Sequence, residues 1–242
     1  MSGREAQSDP VIPDFGEADE CVAENRPFCP GWVEENWSGV LQPALVEHVK
    51  LTLIAVAVGF VLAFAAALLA HRHRRFEGPF GAFSAIVYTI PSIALFQLLV
   101  PFTGISVLTI EVALVGYTLL ILFRNVLAGL RAAPPEVLEA ARGMGLTRRQ
   151  TLTRVELPLA LPAIVAGVRI ATVSTIALAT IAAFVIPEGL GGPIFRALRE
   201  GIFKTELISA GVLAIVLALV ADALLVLAER GLTPWAARRS VA

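Results

Sequence analysis

Four ionisable side chains stand inside otherwise apolar runs of this chain: Glu111, Arg124, Arg169 and Asp222. Burying such groups unpaired is costly, so each is a candidate for a functional or helix-joining contact. Arg124 and Asp222 fall at similar depth along their runs, and we expect them to pair and hold two helices together, with Asn125 beside Arg124. Arg169 has no partner by depth, and we expect it to line a watered path or reach a backbone carbonyl. No Ser/His/Asp set and no His/Glu metal spacing is visible. His48, His71 and His73 lie at the ends of apolar runs near charged neighbours, where a solvated imidazole is the ordinary case. No G-x-x-x-x-G-K-[ST] loop is present to cradle nucleotide phosphates. This reading predicts no catalytic residue, no metal and no cofactor.

A second constellation is polar and densely patterned. Between Pro134 and Pro158 the local grammar is helix, turn, helix. Pro134 and Pro135 pre-set a first turn, and Glu136 and Glu139 suit its positive end. Gly143 and Gly145 end it. Thr147 followed three residues on by Gln150 is a capping box for a second short helix, which Pro158 is expected to finish. Ala140 and Ala141 would let a partner surface approach closely, and Gly145 would supply a sharp turn, as in a rigid peg seated in another protein.

The elements that position these residues are membrane helices. Apolar residues make up 57% of the 242 residues and charged residues 16%, well away from soluble averages. The net charge of -1, with basic residues in short scattered groups, excludes a nucleic-acid surface. A bilayer needs roughly 20 apolar residues per helix, and five stretches qualify: 47–70, 80–101, 106–129, 159–186 and 206–228. Pro91 should kink or split the second, which would give six spans if it divides fully. Arg72, Arg74 and Arg75, then Arg131 to Arg154, then Arg230, Arg238 and Arg239 all fall on one side of a five-span arrangement, which places the N-terminus outside and the C-terminus inside.

The sequence divides into an external acidic tail over 1–46, a membrane domain over 47–230 with the polar loop 131–158, and a cytoplasmic tail over 231–242. We expect disorder up to about Glu20, and an interfacial helix over Phe28 to Val40 carrying Trp32 and Trp37. Cys21 and Cys29 share the external tail, where they could pair or remain two unpaired thiols.

The run Glu139-Ala140-Ala141, three residues, Gly145, nine residues, Val155, one residue, Leu157-Pro158 resembles the signature of bacterial binding-protein-dependent ABC importer permeases. Val155 stands where the family usually has Ile. The resemblance implies an all-α, multi-pass protein of the bacterial inner membrane, of the methionine-importer-like type. It implies that Glu139, Ala140, Ala141, Gly143, Gly145, Val155, Leu157 and Pro158 form the coupling element for separate ATP-binding cassette ATPase subunits. A separate extracytoplasmic solute-binding protein and a second permease subunit, identical or related, are implied as partners. Tyr88 to Leu95, Gly143-Met144-Gly145, Val155 to Pro162 and Gly189 to Gly192 look like the osmoprotectant branch, whose members import glycine betaine, choline or carnitine. Methionine or another amino acid is the alternative solute. In that branch an aromatic cage in the binding protein recognises the quaternary ammonium, so Tyr88, Pro91 and Phe96 here are at most candidates for brief path contacts, alongside Arg124, Asn125, Arg169 and Asp222. The segment Ile186 to Phe195 is a candidate receiver for the binding protein.

Overall fold

The computed structural model describes residues 20–233. The expected disorder before Glu20 and most of the expected C-terminal tail lie outside the described residues. Among the described residues the chain is helical throughout, without strands. In chain order the α-helices are α1 (Glu20–Ala23), α2 (Pro30–Asn36), α3 (Gln42–Arg72), α4 (Arg74–Thr89), α5 (Ser92–Thr103), α6 (Val107–Arg131), α7 (Pro135–Gly143), α8 (Arg148–Thr151), α9 (Leu157–Ala182), α10 (Gly191–Arg199) and α11 (Lys204–Leu232).

Four helical runs are long and apolar enough to cross a membrane: Pro30–Arg72, Val107–Arg131, Arg148–Ala182 and Lys204–Leu232. α4 and α5 qualify only together, and they meet at a bend of 103°. Pro91 causes the break. It opens α5 with ψ 135, and proline also disfavours helical backbone at the residue before it, so Ile90 is extended. The carbonyl freed there is not left bare, because the Tyr117 hydroxyl donates to Ile90 O at 2.6 Å.

Two long runs contain a widened π turn. Trp37–Leu41 joins α2 to α3, so the expected interfacial helix is the first part of one 43-residue run. Leu152–Glu156 likewise joins α8 to α9, and here the expectation fails: Pro158 does not end the second helix. The wide turn bonds Leu157 N to Leu152 O, and Pro158 then falls in the first turn of α9, where its missing N–H costs little.

α6 is the central helix, packed along α3 on one side and α9 on the other. Small residues on α3 (Ala63, Ala66, Ala67, Ala70) face Leu122, Phe123 and Val126 of α6 in one buried cluster. A second cluster joins Leu51 and Ala55 to Phe96, Ile110, Leu114 and Tyr117. Close approach is built in. A Cβ on Gly59 would collide with the Thr118 hydroxyl, and one on Gly167 would lie 2.6 Å from Asn125 Cβ. By contrast, hardly any of the apolar window of α11 is buried within the chain.

Candidate functional site

Helix α7 opens on Pro134 and Pro135 and is closed by backbone bonds around Gly145. Gly145 N donates to Arg142 O at 2.9 Å, and Leu146 N donates to Ala141 O at 3.1 Å. This pairing needs a left-handed residue, and Gly145 has φ +78. Gly143 is simply the last helical residue. The capping box is formed in both directions: Thr147 N donates to Gln150 Oε1 at 2.8 Å, and Gln150 N donates to Thr147 Oγ1 at 3.4 Å.

The motif has two faces. Glu139 and Ala140 are exposed, whereas Ala141 is 1% exposed and packs inward. Val155, Leu157 and Pro158 are half-buried where α8 runs into α9. Met144, at the end of the turn, is 72% exposed, an apolar tip. The segment is tied to the bundle by His71, whose Nε2 lies 3.0 Å from Glu156 Oε2. His71 is therefore a tether between α3 and the second half of the loop, a role no local pattern announces.

Within the spans the ion pairing differs from expectation. Asp222 pairs with Arg169, not Arg124. Arg169 Nε and Nη2 donate to the two Asp222 carboxylate oxygens at 2.9 and 3.2 Å, and Nη1 reaches Glu229 Oε2 at 3.4 Å. Similar depth along two runs does not make two residues neighbours, and α11 packs on α9, which carries Arg169, rather than on α6, which carries Arg124. Arg124 is exposed on α6. Asn125 does not join it: its Nδ2 donates to Ile121 O at 2.8 Å, and its Cβ rests on Gly167.

The aromatic candidates separate in the same way. Phe96 is fully buried in the second core cluster. Tyr88 is 43% exposed and meets Tyr117 edge-on at 6.1 Å, beside the Pro91 bend. Both carboxylate oxygens of Glu111 are buried with no hydrogen-bond partner among the described residues.

At the end of the bundle opposite α7, His48 is fully buried, contrary to the solvated imidazole expected. Leu190 N donates to its Nδ1 at 3.2 Å, so Nε2 carries the proton and donates to Ile176 O at 3.1 Å. Beside it, Gly189 N donates to Glu47 Oε2 at 3.3 Å. Burial, then the neighbouring Glu47 carboxylate, push the Glu188 carboxyl above its ordinary value of 4.5. A cleft of about 610 Å³ opens here, with Glu47, Pro187, Arg196, Arg199 and Glu200 among its lining. Cys21 and Cys29 are disulfide-bonded, which decides between the two readings of that pair.

Several apolar helices long enough to cross a membrane, with an exposed, glycine-turned helical segment at one end of the bundle, define the class: a multi-pass membrane protein. Residues 55–234 match the family of binding-protein-dependent transport system inner membrane components, and the chain belongs to that family. It is 36% identical over 194 residues to the choline transport system permease protein OpuBB of Bacillus subtilis, covering 80% of this chain and 88% of that protein. It is 34% identical to the glycine betaine/carnitine/choline transport system permease protein OpuCB of Bacillus subtilis, covering 78% of this chain and 86% of the relative. It is 35% identical to the osmoprotectant import permease protein OsmW of Salmonella typhimurium, covering 81% and 94%. Among solved structures, the inward-facing MetNI methionine ABC transporter gives a TM-score of 0.75 at 23% identity, covering 82% of this chain and 99% of that one. This last likeness concerns the fold.

Proposed function

We propose that this chain is the permease subunit of an ATP-driven importer for quaternary-ammonium osmoprotectants such as glycine betaine, choline or carnitine. The observation that carries the permease reading is the gapless motif standing on a capped, exposed peg, with Glu139 and Ala140 outward and Gly145 at φ +78. The solute reading rests on the names of the relatives, which favour osmoprotectants over methionine or another amino acid.

In this reading five spans cross a bacterial inner membrane with the N-terminus outside and the C-terminus inside, and the α4–α5 pair forms the second span. The polar loop 131–158 faces the cytoplasm, residues 1–46 lie outside, and the membrane domain covers 47–230. Two permease subunits face each other on two ATPase subunits. A loaded solute-binding protein docks outside, and ATP closes the ATPase dimer. Closure moves Glu139, Ala140 and Gly145, and the continuous helix through Val155, Leu157 and Pro158 carries that motion into α9. Hydrolysis resets the spans. Arg169, Asp222, Arg124, Asn125, Tyr88, Pro91 and Phe96 are the path candidates, with Arg169 and Asp222 first holding α9 to α11.

The test is ATP-dependent uptake of radiolabelled glycine betaine into vesicles holding the reconstituted complex. Wild type is compared with Glu139→Arg combined with Gly145→Pro. Uptake lost in the variant, with the protein still inserted, is the expected result. Uptake untouched by both changes would remove the coupling role. ATPase turnover in wild type without betaine uptake would remove the solute assignment.

A further inference from the structure

The part of the chain before residue 55 lies outside the family match, yet it is bonded to the loop between α10 and α11. The Cys21–Cys29 bridge closes a small ring with Asn25 within it. Asn25 has φ +51, a left-handed conformation that asparagine tolerates better than most residues. Its Nδ2 donates to Ile202 O at 3.0 Å, and its Oδ1 accepts from Lys204 N at 2.9 Å. One residue on, Arg26 O accepts from Thr205 Oγ1 at 2.9 Å. Trp32 then meets Phe203 edge-on, with ring centroids 5.2 Å apart.

The loop so held needs holding. Ile202 is β-branched and sits at φ +63, which is unfavourable unless its surroundings enforce it. The bond from Asn25 to its carbonyl and the bond to Lys204 N both fall just after that residue and flank Phe203, whose own N donates to Ala197 O at 3.1 Å. Immediately before it lies α10, whose Arg196 is bonded to the buried Glu206 of α11. Arg196, Arg199 and Glu200 line the cleft beside Glu47.

We propose that the disulfide-closed ring is a positioning element for this loop, with Asn25 as its contact residue, and that solute transfer depends on the bridge being oxidised. Closing the ring narrows the conformations open to Asn25, so its two bonds to the loop form at lower entropic cost. Those bonds set where α10 and the start of α11 sit, and with them one wall of the cleft. The transport half of this proposal rests on the importer reading above, while the positioning half does not.

The experiment uses the reconstituted complex with oxidised wild type, Cys21→Ser with Cys29→Ser, Asn25→Gly and Asn25→Asp. Two quantities are read: hydrogen exchange at the amides of residues 200–205, and ATP-dependent glycine betaine uptake. Asn25→Gly keeps the left-handed backbone and removes only the side-chain bonds. It should raise exchange at the Lys204 amide about tenfold. The cysteine variant should do the same, or reductant added to assembled wild type if that variant fails to insert. Uptake should fall in both. Asn25→Asp retains the acceptor for Lys204 N–H and should fall between glycine and wild type. Unchanged exchange in Asn25→Gly would overturn the positioning role, and faster exchange with wild-type uptake would overturn its link to transport. Absence of betaine uptake in wild type would count against the solute reading alone, leaving the exchange result to decide on the ring.

Discussion

The peg from Pro134 to Pro158 and the ring from Cys21 to Cys29 are both short, polar and attached to the ends of long helices. They are stabilised in opposite ways. Around the peg, the bonds that shape α7 and α8 join residues three to five apart, as in the capping box and the turn at Gly145. The ring makes its decisive bonds to residues 177 to 179 positions away. A locally stabilised element keeps its shape when displaced, which suits the coupling role proposed for it. An element stabilised from afar is informative only about where two distant parts of the chain meet, which suits a brace.

That contrast can be sharpened by breaking contacts of each kind. The largest effect should come from the distant kind. Gly167→Ala places a methyl against Asn125 Cβ, neither of which can swing aside, and should lower stability by about 1–3 kcal/mol, read as a lower thermal midpoint in detergent. An unchanged midpoint would mean that α6 and α9 are not in tight contact. Thr147→Ala, of the local kind, should cost about 1 kcal/mol, confined to α8 and visible as faster exchange at residues 147–151 with the global midpoint unmoved. Asp222→Asn should speed exchange in α11 severalfold, and the reversed pair Arg169→Asp with Asp222→Arg should restore part of it. Arg124→Gln should leave α11 as it was.

The smallest effect concerns Glu188. Its carboxyl titrates above its ordinary value, so the folded state favours the protonated form. The stabilisation is therefore fully present below pH 4.5 and is lost as the pH rises through the raised value. Exchange in residues 187–190, corrected for intrinsic rate, should accelerate over that rise. Glu188→Gln should flatten the dependence, and a wild-type profile already flat would refute the carboxyl contact.

The same division explains what could be read from the residues alone. The peg was legible in full except for its end, since prolines, glycines and a Thr/Gln pair act on their own neighbours. Pro158 misled because a widened turn just before it removed the need for its N–H, and nothing in the local pattern encodes that turn. The apolar runs and the break at Pro91 were legible for the same reason of locality. The Arg169–Asp222 pair, the burial of His48 and the Asn25 contacts were not, because each depends on which distant segments of the chain pack together. Gly189 and Leu190 give no sign in sequence that an imidazole on α3 will receive their loop.

The run Arg148–Ala182 has a further mechanical meaning. Its 35 residues extend roughly 50 Å without a break in the helix. It is held against α6 at two close approaches, Gly129 against Ala160 and Ala163, and Asn125 against Gly167. In the importer proposed above, a rod held along its length in this way would carry a stroke at the Thr147 end toward Ala182, beside the loop received by His48. Under that proposal, the two faces of the bundle are linked by one helix that tilts as a unit.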